Sequence, residues 1–260
     1  MKINFYYRTV FRRRNAVKET FYDFFLAFCS IPRLLLEVFI RRDFGERYFS
    51  FFTAIMTAIV LAIYPIIMAM NTKFISLFGY AHEYSFIDFL VQYLTWYVFL
   101  VWFVILCNKR ENEIKHLPSV FDFARFSLST GMMHEGFLNY KIKGQPATVR
   151  TIETRLEPGL FFLLGIGLWV FSQPLGLLLI GSSIFYSISY RAAYHRGDNF
   201  IMDNIDEMIC NEELTSAFID GLGPAETRGV NYYGRKPMDA TARKMLADNF
   251  VRDTEIVEAR

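Results

Sequence analysis

The stretch YFSFFTAIMTAIVLAIYPIIMAM, residues 48–70, decides the fold: it runs for 23 residues without a charged side chain. A helix rising about 1.5 Å per residue covers more than about 30 Å over that length, enough for the hydrocarbon layer of a bilayer. Pro65 lies inside it, and a membrane helix tolerates proline where neighbouring groups satisfy the released carbonyl. A second window, FIDFLVQYLTWYVFLVWFVILC at residues 86–107, has 22 residues and a single charge, Asp88. Asp88 and Gln92 are four apart and share a helix face. They suit either an ion or proton route or a contact at the headgroup boundary, and the place of Asp88 three residues into the window favours the boundary.

A third apolar block, Leu160 to Ile188, carries no charge but is divided by SQPLG. It reads either as one long kinked helix or as a tight hairpin, LFFLLGIGLWVF entering and LGLLLIGSSIFYSI returning. Each arm is short for a full crossing and needs local thinning, flanking extension or a re-entrant arrangement. Gln173 and Pro174 supply a turn from which a straight lipid-facing helix would gain nothing, so the hairpin is the preferred reading. Its glycines, Gly165, Gly167, Gly176 and Gly181, are expected to let helices approach closely rather than to bind phosphate.

Around these blocks the composition agrees. Of 260 residues, 53% are hydrophobic and 18% aromatic, whereas charged residues make up 21% against roughly 25% in soluble proteins. Such a chain is neither disordered, nor collagen-like, nor a small disulfide-rich secreted fold. The net charge of +2 gives no reason to expect a general nucleic-acid binder, and no specific nucleic-acid site is evident. Cys29, Cys107 and Cys210 show no metal-site spacing and are expected to be free, as on a reducing cytosolic side. The basic start leads into no short uncharged region of the kind a cleaved signal peptide needs.

Charge placement sets the topology. Residues 1–47 hold ten Lys/Arg against five Asp/Glu, including Arg8, Arg12, Arg13, Arg14 and Lys18, and an anionic lipid surface is their simplest partner. Within this region Val17, Phe21, Phe24, Phe28 and Ile31 recur at helical spacing. Lys18, Glu19 and Asp23 interrupt the apolar surface, so the segment reads as an interfacial amphipathic helix that Pro32 ends or kinks. Lys/Arg retention places 1–47 and 108–159 in the cytoplasm and leaves the 71–85 connection outside. Arg191 and Arg196 flank the exit of the hairpin and bring the tail back to the cytoplasm.

The expected fold is therefore a predominantly α-helical polytopic membrane protein with four membrane segments, including the short Gly-rich hairpin, and with cytoplasmic amphipathic helices. Its parts are a basic interfacial region (1–47), a first transmembrane hairpin (48–107), a connecting region (108–159), a transmembrane or re-entrant hairpin (160–190) and an acidic tail (191–260). In the connecting region FDFARFSLSTGMMHEGFLNY suits a short amphipathic helix and a turn. Nine Lys/Arg and thirteen Asp/Glu give the tail a charge of −4. There Ile201, Ile205, Met208 and Ile209 form an apolar stripe, continued less regularly by Leu214 and Phe218, that is expected to bind another membrane or cytosolic subunit. Asp198 or Asn199 is placed to cap that helix after a turn at YHRGDNF, and Met238, Ala242, Met245, Leu246 and Phe250 suggest a second short helix.

Motifs for chemistry are missing. His134 and Glu135 stand in MMHEGF without the second histidine of HExxH, and P-loop, GxGxxG and GxSxG patterns are lacking. No cofactor, metal or catalytic residue is expected. The function expected is that of a nonenzymatic subunit or scaffold of a multiprotein assembly in the bacterial inner membrane, in secretion or conjugative transfer, with both termini cytoplasmic. A small transporter or channel component is the alternative, although the spans offer almost no buried charge as a coupling site. A membrane phosphate- or lipid-processing enzyme is the third reading, with His134, Glu135, His195, Arg196 and Asp198 as its best candidates.

Overall fold

The computed structural model describes residues 2–11, 16–76, 86–142, 144–247 and 249–253. The Arg12, Arg13 and Arg14 cluster and most of the 71–85 connection lie outside the described residues. Eight helices are described: α1 (Ala16–Ile40), α2 (Phe51–Ser76), α3 (Phe86–His116), α4 (Glu135–Leu138), α5 (Val149–Thr151), α6 (Glu157–Val170), α7 (Pro174–Ile219) and α8 (Ala240–Ala247). Four short strands, β1 (Lys2–Asn4), β2 (Lys141–Ile142), β3 (Gln145–Pro146) and β4 (Val251–Asp253), make two antiparallel ribbons, β1 with β4 and β2 with β3. Among the described residues α2, α3 and α7 are long and apolar enough to cross a bilayer, as in a multi-pass helical membrane protein. The chain forms two compact units, Tyr22–Ala193 and the pair Met1–Phe21 with Tyr194–Arg260.

In the unit Tyr22–Ala193, α2 and α3 run antiparallel. The Trp96 indole N–H donates to the Leu61 carbonyl at 2.9 Å, and the Tyr97 hydroxyl donates to that of Ala62 at 3.2 Å. Ala54 and Ala58 are buried with Phe103 and Cys107 in one apolar cluster, where small side chains let the helices come close. The same cluster takes in Leu34, Leu35 and Val38 of α1. Phe39 stacks on Phe99 with ring centroids 5.0 Å apart, and Arg110 donates to the Val38 carbonyl in the last turn of α1, where a cation complements the helix end.

Helix α1 does not end at Pro32. It continues to Ile40, because Cys29 before the proline and Leu34, Leu35 and Leu36 after it are all buried and hold both halves in line. The expected amphipathic helix in FDFARFSLSTGMMHEGFLNY is not formed either. Only a 3-10 turn at Val120–Asp122 and the four-residue α4 occur, since Phe123 and Gly131 have positive φ and the intervening backbone bonds elsewhere. Gly45 N–H donates to Ser129 O at 2.9 Å and Arg47 N–H to Ser127 O at 3.0 Å. Gly45 is needed there, for a Cβ would lie 2.2 Å from the Ser127 carbonyl oxygen.

The helix that carries the first half of the third apolar block begins at Glu157. Thr148 caps α5, and a π-helical turn, Ile152–Leu156, leads into α6. At 14 residues α6 covers only about 21 Å, too short for a crossing. A turn at Phe171–Gln173, with Ser172 at φ 58°, joins it to α7, whose first residue is Pro174. The two helices return along each other: Ser187 Oγ donates to the Thr154 carbonyl at 2.6 Å, and Ser183 Oγ to that of Pro158. A Cβ on Gly176 would sit 2.5 Å from the Trp169 nitrogen, and one on Gly165 would sit 2.9 Å from the Gly176 carbonyl oxygen. Among the described residues, nothing lies within 4 Å of a Cβ on Gly167 or Gly181, so the packing role expected of these two has no neighbour within the chain.

In the other unit the β1–β4 ribbon and an aromatic cluster cover one face of the second half of α7. Tyr7, Cys210 and Leu214 form a buried core, while Phe218 meets Tyr232 and Phe250 with centroids 4.7 and 4.9 Å apart. The buried Asn4 accepts from the Tyr7 N–H at 2.8 Å, and its backbone N–H donates to Glu207 at 3.0 Å. No turn interrupts α7 at YHRGDNF, so Asp198 and Asn199 lie inside the helix and cap nothing.

Candidate functional site

The structure buries charge outside the three apolar blocks. Glu37, Arg41 and Glu157 are completely buried in the unit Tyr22–Ala193, and Glu153 is nearly so. They form one network. Arg41 Nε donates to both oxygens of Glu157 at 3.2 Å, and its two other nitrogens reach Glu157, Glu153 at 3.2 Å, the Tyr190 hydroxyl at 2.7 Å and Thr130 Oγ1 at 3.1 Å. Glu37 accepts from the hydroxyls of Tyr190 at 2.6 Å and Tyr48 at 2.5 Å and forms an ion pair with Arg33 at 3.4 Å. Arg33 donates to Ser189 Oγ at 3.0 Å, and its guanidinium lies over the rings of Tyr48 and Tyr190. Tyr186 donates to Glu157 and completes the set.

Helical spacing explains how the chain assembles these groups. Arg33, Glu37 and Arg41 recur every four residues on one side of α1 and its continuation, and so do Glu153 with Glu157 and Tyr186 with Tyr190. These three polar spacings inside apolar sequence were the available signal, and each is too common in helices to stand out until the others oppose it. Three carboxylates face two guanidiniums, a formal excess of one negative charge. Burial pushes the Glu37 carboxyl up from the ordinary range, against the opposing pull of Arg33 and Arg41.

The expected site residues fall elsewhere. Ile201, Ile205 and Met208 are exposed on α7, and Ile209 is half-buried. Leu214 and Phe218 do not continue that stripe, because they are buried with Cys210 on another face. A cavity of about 730 Å³ lies in the unit Met1–Phe21 with Tyr194–Arg260, lined by Tyr7, Glu19, Asp203, Asp206, Ile209 and Arg228 among others. Of the enzyme candidates, His134 caps α4 by accepting from the Gly136 N–H at 3.1 Å, and His195 contacts Asn199 one helical turn away at 3.1 Å. Among the described residues, no group of three potential metal ligands occurs. Asp88 is exposed in the first turn of α3, at the end of its apolar run.

The fold and the network together define a helical multi-pass membrane protein with a buried ion cluster at the end of its apolar helices. No family model, curated protein or solved structure matches the chain.

Proposed function

We propose that the chain is a nonenzymatic subunit of a multiprotein assembly in the bacterial inner membrane, of the secretion or conjugative-transfer kind, that holds cytoplasmic surfaces in fixed register with the bilayer. The observation that carries this reading is the closure of the buried network. Its charged groups are taken up by one another and by hydroxyls, which suits a fastening between α1, α6, α7 and the Thr130 loop. The exposed Ile201, Ile205 and Met208 then remain as an unspent apolar surface for a partner.

Four membrane segments fit this role, two crossing and two re-entrant. Leu61 and Trp96, bonded to each other, stand near the middle of the two apolar windows, and Gln173 in the α6–α7 turn accepts from the Thr95 hydroxyl at 2.7 Å. The turn thus belongs at mid-membrane. From that level Phe51, Arg110, Glu157 and Tyr190 lie about 15 to 26 Å along their helices, so the network sits at the cytoplasmic headgroups. Both arms of the hairpin open to that side, and both termini are cytoplasmic, in keeping with the basic charge of 1–47 and 108–159. An anionic lipid surface accounts for the basic amino-terminal region.

Purification of the native assembly in mild detergent, with the recovered subunits identified, tests the proposal. Reproducible stoichiometric partners are expected, and a chain recovered alone from native membranes at normal abundance rejects it. The transporter reading has one observation in its favour, the excess carboxylate in the network, and calls for proton- or ion-dependent flux by the purified chain in liposomes.

A further inference from the structure

Helix α3 carries Asp88, Gln92 and Thr95 at positions i, i+4 and i+7, which places all three on one face from its first turn to the level of Trp96. At the inner end of this line stands Gln173, bonded to Thr95. Gln173 closes the turn between α6 and α7, where the backbone leaves the helix and Phe171 and Ser172 are exposed. Non-helical backbone is tolerated at bilayer depth only against protein or water, and an amide or hydroxyl without a partner is strongly disfavoured in hydrocarbon.

We propose that Asp88, Gln92, Thr95 and the Phe171–Gln173 turn line a water-filled inlet from the outer face to mid-membrane, open to water and small hydrated cations. The inference rests on the re-entrant reading of the hairpin, which supplies the floor. Below Thr95 the same face of α3 becomes aromatic: Phe99 stacks on Phe39, and the fully buried Phe103 follows. This apolar layer closes the inlet before the ion network, because narrow apolar constrictions shed water.

Thiol accessibility tests the inlet in the purified full-length protein reconstituted in vesicles. Cys29, Cys107 and Cys210 are buried, so introduced cysteines are the ones a charged, membrane-impermeant methanethiosulfonate reagent meets. Asp88→Cys reports the fraction of outward-facing molecules. Gln92→Cys, Thr95→Cys and Ser172→Cys are expected to reach the same final labelling, more slowly, while Val91→Cys and Val98→Cys on the exposed apolar faces stay unlabelled. Protection of Gln92→Cys, Thr95→Cys and Ser172→Cys alike overturns the inlet and leaves the re-entrant hairpin standing. Labelling of Ser172→Cys as fast as Asp88→Cys, with Gln92→Cys and Thr95→Cys protected, overturns both, since the turn then crosses the membrane. Ser172→Cys exchanges only an oxygen for a sulfur, and Gln92→Cys and Thr95→Cys keep the test decisive should it fail to fold.

Discussion

Arg41 is the residue on which the buried network turns, since it meets both Glu153 and Glu157 and also donates to Tyr190. Removing one member of a buried ion pair costs about 3–5 kcal/mol, chiefly through the charge left behind. Arg41→Met is therefore expected to lower thermal stability in detergent by an amount of that order, and Arg41→Lys to restore little, because an ammonium cannot reproduce the forked contact with Glu157. Arg41→Met combined with Glu157→Leu should recover part of the loss, and additive losses would refute the pairing. Glu37 gives a pH signature. Its carboxyl is raised in the folded protein, so its contribution is fully present below the ordinary carboxylate range and lost as pH rises through the raised value. Glu37→Gln should flatten that part of the stability profile, and an unchanged slope would show that Glu37 is not the group titrating.

Helices α6 and α7 approach closely at Gly165 and Gly176, so substitutions at the glycines of the two helices are expected to be tolerated unequally. Gly176→Ala forces a methyl against the backbone of Trp169, whereas Gly181→Ala enters open space. The first should lower thermal stability by roughly 1–3 kcal/mol, as overpacked cores do, and the second should leave it within about 0.5 kcal/mol of the parent. Equal effects in a thermal solubility assay would mean that Gly181 faces a partner, or that α6 and α7 separate. The continuity of α1 through Pro32 has a related origin, since the buried Cys29 before it and Leu34, Leu35 and Leu36 after it supply what the local backbone loses.

For the whole molecule, what matters is which apolar surface remains unspent. In the unit holding the tail, Cys210, Leu214 and Phe218 are consumed internally, while Ile201, Ile205 and Met208 point away from that core. Ile205→Asp with Met208→Asp is expected to leave membrane abundance unchanged and abolish recovery of the native partner. Loss of both would make the stripe part of the fold. Retention of both would eliminate it as a docking surface. Asp220→Asn serves as the acidic control, since Glu212 pairs with Arg228. Reporter fusions at both termini should agree on the cytoplasmic side, and an external carboxyl terminus would rule out the re-entrant hairpin.

The spans and the direction of their charge bias were legible in the sequence, because transfer to lipid is close to a sum over neighbouring residues and needs no knowledge of what they touch. The Gly165 and Gly176 contact was legible as a motif, although the same motif at Gly167 and Gly181 meets no neighbour within the chain. The ion network was not legible. Its charges come from segments more than a hundred residues apart, and a guanidinium such as Arg41 is tolerable in the interior only after Glu153, Glu157 and Tyr190 have been brought around it. Whether the stripe of α7 continued past Ile209 was equally a tertiary matter. Periodicity grouped Leu214 and Phe218 with Ile205, and the amino-terminal strand and its aromatic neighbours, arriving from the far end of the chain, buried them on a different face.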